Sequence, residues 1–427
     1  MTQNKAQSQI QKARQAGESG REDKAVQIYA DVIQQIPPDT SDDDLKQIRL
    51  DALRERGAML IQCNLPIAAL SDFELWRDEA PLSSDSIEVF LGIARVYSRL
   101  GEYNKASDAY HRALGILEIY PDIRQQAQIY SGLATVYTSI GSLDEALDYN
   151  QKALQIYQTL ADKNAQARVL SGMGISYKYL GKLDKSITAF DQSIELSREA
   201  GQLAYTAIAI NNLGECYQDL FDMEAALCYH QEALTLLKKS GEDRWRHGLM
   251  CDIYRNIGID MRSLGRTDEG IEYLRRACQF ANMIKMVDVE LQVLNSYAMT
   301  EFERGNLFVA KDRAQESVEK SKEMNSQGQL VIALYILGLC LQAENKVEDA
   351  EKTWQEASYL AHELKQRNVL WRIHAALAEV SMSQNMAQVH KDLAIKTLNE
   401  LADSIDDEGL RQKFLSASPV QAVFYLA

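Results

Sequence analysis

The sequence is poor in proline, lacks any closely spaced cysteine pair, carries no long apolar run and has a deficit of positive charge. Only 6 of its 427 residues are proline and 22 are glycine. That leaves little turn chemistry for a many-stranded sheet and suits helices joined by short turns. None of the six cysteines (Cys63, Cys216, Cys228, Cys251, Cys278 and Cys340) forms a CxxC pair. They are expected to be reduced, mostly buried thiols of a cytoplasmic protein. The longest apolar run, "LVIALYILGLCL" at 330–341, is twelve residues, whereas a membrane-spanning helix needs about 20. The run reads instead as a helix buried on all sides. The first twenty residues hold no apolar core, which argues against a secretory signal. With a formal net charge of −15 and a pI near 5.0, neither nucleic acid nor an anionic membrane is an expected partner.

What is present is an internal beat. The stretches 131–154, 171–194 and 211–234 begin 40 residues apart. Each carries a small residue (Ala134, Gly174, Gly214), a tyrosine three later (Tyr137, Tyr177, Tyr217) and a second small residue twelve after the first (Ala146, Ser186, Ala226). The beat runs upstream through Ala94 and Ala106 and downstream through Gly258/Gly270, Ala298/Ala310, Gly338/Ala350 and Ala378/His390. Two fainter copies precede it, one with Ala25 before Pro37 and one with Gly57, Ala69 and Pro81. Each unit has room for two helices of about four turns. Gly20, Gly101, Gly141, Gly181, Gly265 and Gly305, with Asn64, Asn345 and Asn385 in the same register, are expected to end the first helix in the left-handed conformation. Phe221 stands where those residues do, so that turn is expected to close differently.

Leu-Gly-x-x-Tyr, then Leu-Gly, then Ala, then an aromatic and Ala-Leu, resembles the tetratricopeptide repeat, as in "NLGECY", "YLGKLDKSITAF" and "RLGEYNKASDAYHRAL". The resemblance covers about residues 6–402. Its 40-residue period is similar to that of kinesin light chains, Pins-type polarity adaptors and bacterial regulators that sense peptides or proteins. The tail 401–427 resembles the end of bacterial arrays fused to signalling ATPases or transcription activators; no such segment precedes the array here, so it is expected to act alone or in trans. The resemblance implies an all-α, right-handed superhelical solenoid of about ten antiparallel helix pairs. Residues 1–83 would be divergent units, 84–402 the regular array and 403–427 a capping segment. Leu410, Phe414, Leu415, Val420, Val423 and Phe424 would cover the apolar end of the array, or dock onto another chain.

Cys216, Cys228 and His230 have the residue types of half a metal site, but no other copy supplies the remaining ligands. In register, Cys216 faces packing and Cys228 a polar position. "GMGISYKYLGKL" lacks the spacing and the Ser or Thr of a phosphate loop, and "HELKQ" lacks the second histidine of a zinc-protease helix. No metal, cofactor or catalytic residue is expected.

The resemblance places the first helix of each unit on a concave wall. Its inward positions fall six and three before the small residue and one, four and five after it. Seven wall residues are basic (Arg95, Arg99, Arg168, Lys178, Arg255, Arg262, Arg372) and six acidic (Glu88, Glu215, Asp219, Asp252, Glu303, Glu379). The wall is thus +1 while the rest of the chain sums to −16. Ser131, Tyr179, Asn211, Gln218 and Asn295 add hydrogen-bonding groups. Arginine forks grip carboxylates and asparagine amides clamp an extended backbone. The expected partner is therefore a protein or peptide with acidic residues, held at Arg95, Arg99, Ser131, Arg168, Lys178, Tyr179, Asn211, Gln218, Arg255, Arg262 and Asn295. Met299, Phe302, Tyr335 and Leu339 make the later wall apolar and open a route to self-association through the C-terminal third. The leading reading is a non-enzymatic interaction module of a bacterial signalling or assembly system. The alternative is a sensory regulator whose superhelix changes on binding a small ligand or short peptide. A third, a phosphatase-like regulator, lacks a focused constellation of catalytic groups.

Overall fold

A computed structural model describes residues 1–63, 65–240, 246–284 and 287–425, with the side chains of Arg246 and Ile284 left aside. Asn64 therefore lies outside the described residues. Contacts divide the chain into two compact units, 1–176 and 177–427. Among the described residues the secondary structure is helical, with no strand.

The first unit contains α1 (Gln3–Glu18), α2 (Glu22–Gln35), α3 (Asp43–Gln62), α4 (Pro66–Glu79), α5 (Asp85–Arg99), α6 (Tyr103–Leu117), α7 (Ile123–Ile140), α8 (Leu143–Thr159) and most of α9 (Lys163–Tyr179). The second contains the end of α9, then α10 (Leu183–Glu199), α11 (Leu203–Asp219), α12 (Met223–Lys239), α13 (Arg246–Ser263), α14 (Thr267–Ile284), α15 (Val287–Glu303) and α16 (Leu307–Glu323). It continues with α17 (Gln327–Ala343), α18 (Val347–Glu363), α19 (Arg367–Val380), α20 (Gln384–Asp403), α21 (Glu408–Ser416) and α22 (Ser418–Phe424). Helices α1 to α20 follow one another as ten hairpins, matching the expected solenoid of helix pairs. No described helix is long and apolar enough to cross a membrane. Within α17, the residues of the long apolar run alternate between buried and half-buried, because one side of the helix lines the wall.

The small residues of the beat are packing residues. A Cβ on Gly338 would sit 2.2 Å from Trp354 Nε1, and one on Gly270 would sit 2.8 Å from the carbonyl oxygen of Gly258. At Gly258 and Gly270 the helix backbones themselves meet, and at Gly338 the Trp354 side chain fills the place a Cβ would take. The turn glycines take positive φ as expected, and so does Asn345, at 60°. Asn385 does not, because α19 stops at Val380 and Asn385 falls in the first turn of α20. Phe221 overturns its expectation in the other direction: it adopts φ 58°, the same left-handed turn as the glycines. Its amide and that of Asp222 close the helix end onto the carbonyls of Gln218 and Tyr217, both at 2.9 Å. A bulky residue pays strain in this region; here the ring packs 6.0 Å from that of Phe414 and 6.4 Å from that of Trp371.

Candidate functional site

In the second unit the first helices of successive pairs turn a run of charged and amide side chains toward one another. Lys178 Nζ, at the end of α9, pairs with Glu215 Oε2 on α11. The other oxygen of Glu215 accepts from Asn256 Nδ2 at 3.1 Å, and Asn256 Nδ2 also reaches Asn211 Oδ1 at 3.1 Å. Arg255 lies 3.8 Å from Glu215 Oε1. Gln218 Nε2 donates to Asp260 Oδ1 at 2.6 Å, and Asp260 Oδ2 meets His230 Nδ1 at 2.6 Å. Gln218 Nε2 also reaches Asn256 O at 3.3 Å, so one connected network holds Lys178, Asn211, Gln218 and Arg255, four of the expected site residues. The side chains of Lys178, Glu215 and Arg255 are only 19, 22 and 17% exposed, so they line a recess.

The electrostatics follow from that partial burial. Burial works against the charge of Glu215, but Lys178 and Arg255 more than offset it and hold the carboxyl at about 2. Burial likewise opposes the Lys178 ammonium, yet Glu215 and Asp219 raise its pKa. Further along, Arg262 lies 3.5 Å from Glu303, and burial lowers its pKa. Arg372 of α19 adds to that lowering.

Three wall carboxylates lack a partner among the described residues; Glu379 is exposed, and the other two are half-buried. Asp219 and Asp252 make no hydrogen bond and no ion pair among the described residues. Burial pushes both pKa values up; Lys178 and Arg372 partly oppose this at Asp219, as Arg255 does at Asp252. The basic residues of this recess are already engaged by carboxylates or, for Arg372, stacked on aromatic rings: its guanidinium lies 4.6 Å from the Trp371 centroid and 5.6 Å from that of Phe221.

Asn295 departs from its expected use. It is buried, accepts from Ser317 at 2.7 Å and donates to Gln329 at 3.2 Å, so its amide is spent within the solenoid. Tyr179, in contrast, is 66% exposed.

In the first unit, Arg95 and Arg99 border an open depression of about 280 Å³ with Ile61, Ser98, Tyr110 and Thr135. Arg99 donates to the Ile61 carbonyl at 2.5 Å, and neither arginine has a carboxylate partner among the described residues. Burial lowers the pKa of Arg99. Ser131 turns its hydroxyl back to Ala127 O at 3.0 Å, and Arg168 is exposed on α9.

Cys216 is buried against Ser186 Oγ at 3.2 Å, and Cys228 is exposed. His230 is fully buried beneath Gly214 rather than aimed at the cysteines. Among the described residues no three metal-ligating side chains group together. Sequence reasoning missed Asn256 and Asp260, which sit at packing positions of the repeat, and weighed His230 only as a metal ligand, not as the partner of Asp260. Asp260 occupies the register of Cys216 and Ser176, where nothing marks it as polar and paired.

Residues 85–159 and 165–239 match the family model of the tetratricopeptide repeat. Solved structures with a similar fold include a Rap protein complexed with Competence and Sporulation Factor (13% identity, TM-score 0.56, covering 94% of this chain and 100% of that one). The apo form of the quorum sensor NprR from B. thuringiensis is 14% identical with a TM-score of 0.59, covering 84% of this chain and 99% of that one. Aspartyl phosphate phosphatase F from Bacillus subtilis is 14% identical with a TM-score of 0.56, covering 84 and 94%. At these identities the likeness is one of fold. No curated protein matches the chain.

Proposed function

We propose, from the premise that this chain is a tetratricopeptide-repeat protein, that it is a non-enzymatic regulatory module that binds a short peptide segment of a bacterial signalling partner. The segment lies in the recess of the second unit. Asp219 and Asp252 receive an ammonium or guanidinium, while Asn211 and Gln218, expected at first to clamp a peptide backbone, are engaged within the wall and, with Asn256, hold Glu215 and Asp260 in place. The observation that carries this reading is the state of those two carboxylates: half-buried, raised in pKa, and without an ion-pair partner among the described residues. A ligand cation would supply a charge-assisted hydrogen bond to groups that now lack one. The expectation of acidic residues in the partner belongs to Arg95 and Arg99 of the first unit, which have no carboxylate partner among the described residues. The names of the like-folded proteins, a quorum sensor and a Rap protein bound to Competence and Sporulation Factor, are in keeping with a regulatory role.

The test is selection from a pool of random synthetic pentapeptides. Protein-bound peptides are separated by gel filtration and sequenced by mass spectrometry. The wild type is expected to enrich lysine and arginine, and Asp219→Asn/Asp252→Asn to lose that enrichment while Arg95→Ala/Arg99→Ala keeps it. Equal enrichment by the aspartate variant would overturn the assignment of the recess.

A further inference from the structure

The C-terminal segment does more than follow the last helix pair. Phe414, Val420 and Val423 are buried in one apolar cluster with Ala394 and Leu398 of α20, and that same cluster contains Leu183 from α10 and Leu220 from the end of α11. Two ion pairs fasten the same junction: Lys185 with Asp406 at 2.9 Å, and Lys413 with Asp222, whose positions are 191 residues apart. Gly181 lies against Ser404, close enough that a Cβ would come within 3.2 Å of the serine side chain. The second unit therefore curves until its last elements meet its first.

We infer that residues 404–425 form a releasable clasp that holds the two ends of the second unit together and so sets the width of the recess between them. The contact is made by side chains: no backbone hydrogen bond joins the segment to α10, α11 or α12 among the described residues. Its ion pairs are solvent-exposed, 45 and 65% for Lys185 and Asp406, and such pairs add little. The apolar part of the contact is made on the α10–α12 side by Leu183, Leu220, Ile187 and Phe221, with the rings of Phe221 and Phe414 6.0 Å apart. The segment is also folded in its own right. Asp407 caps α21 through the Leu410 amide at 2.8 Å, Arg411 closes onto Ile405 O at 2.7 Å, and Gln421 holds Leu415 O at 2.6 Å. It can therefore leave α10–α12 as a body while staying on α20. Trp371 and Phe221 belong to the clasp cluster and also flank Arg372, whose charge acts on Asp219 and Tyr335 in the recess. Opening the clasp thus loosens one wall of the recess. The inference goes beyond the peptide reading and holds whatever the recess binds.

Amide hydrogen exchange of the full chain, without ligand, tests it. In the wild type, 217–224 is expected to exchange in step with 408–424, well ahead of α13–α18. Phe414→Asp and, independently, Val420→Asp are expected to speed exchange at 181–187 and 217–224 about tenfold, with α13–α18 unchanged. Two results would overturn the inference. One is exchange at 181–187 and 217–224 that does not change in either variant. The other is a clasp that exchanges only together with α13–α18, which would make it a permanent part of the fold.

Discussion

At the scale of single residues, the recess depends on Glu215. It stands between two cations, Lys178 and Arg255, and accepts from Asn256 as well. Replacing it with alanine leaves two half-buried positive charges facing each other, and removing one partner of such a pair costs about 3–5 kcal/mol. We expect Glu215→Ala to lower the urea midpoint accordingly, and Lys178→Met/Glu215→Leu to recover part of the loss. A double variant no more stable than the single one would contradict this. The wall register of Lys178, Asn211, Gln218 and Arg255 was legible, because small residues marked every copy. Their pairing was not. Glu215 meets Lys178 from 37 residues away, and that encounter depends on how far each pair rotates on the last, which no local pattern encodes. Asn295 shows the same limit: its register pointed to the wall, but Ser317 and Gln329 captured its amide.

At the scale of elements, helix pairs meet at residues whose size is fixed by their neighbour. Gly338→Ala would push Trp354 from the space it fills and break its 2.9 Å hydrogen bond to Tyr335 O. Overpacking of this kind costs about 1–3 kcal/mol, read as a lowered thermal midpoint; an unchanged midpoint would show that α17 and α18 can part freely. The last hairpin carries a pH dependence. His374 on α19 stacks on His390 of α20, with ring centroids 5.3 Å apart and Nδ1 atoms at 3.2 Å. Burial, with smaller contributions from His390 and His362, lowers His374 from 6.5 to about 4. Between those values the unfolded chain binds the proton and the folded chain does not, so stability falls as pH falls. The contribution is whole above pH 6.5 and spent near pH 4, with an upper bound of roughly 3 kcal/mol. His374→Phe should flatten the slope of denaturation free energy across that window; an unaltered slope would assign it to other groups.

At the scale of the whole molecule, the helical solenoid was readable from the repeat alone, since a 40-residue beat with small residues in fixed register has few structural solutions. The docking of the C-terminal segment on α10–α12 was not, because it results from curvature summed over the intervening helix pairs. The apolar spacing of Phe414, Val420 and Val423 announced a buried face and left open what would bury it. The recess inside that curve brings together Lys178, Asn211, Gln218 and Arg255 of the second unit, and the proposal rests on its raised carboxylates. Because the pKa values of Asp219 and Asp252 stand above the ordinary carboxylate value, a bound cation should drive off protons in mildly acidic buffer. Binding enthalpy should then vary with the ionisation enthalpy of the buffer wherever the free carboxyls hold their protons, with the dependence fading as pH rises.

The most direct measurement is a fluorescence-anisotropy titration of one labelled, arginine-containing pentapeptide from the selected pool against the wild type and Asp219→Asn/Asp252→Asn at pH 7. The account predicts at least about tenfold weaker binding by the variant, the loss expected for removing a charge-assisted contact in a half-buried site. Equal affinity for the two proteins would contradict it, and would place recognition outside the recess of the second unit.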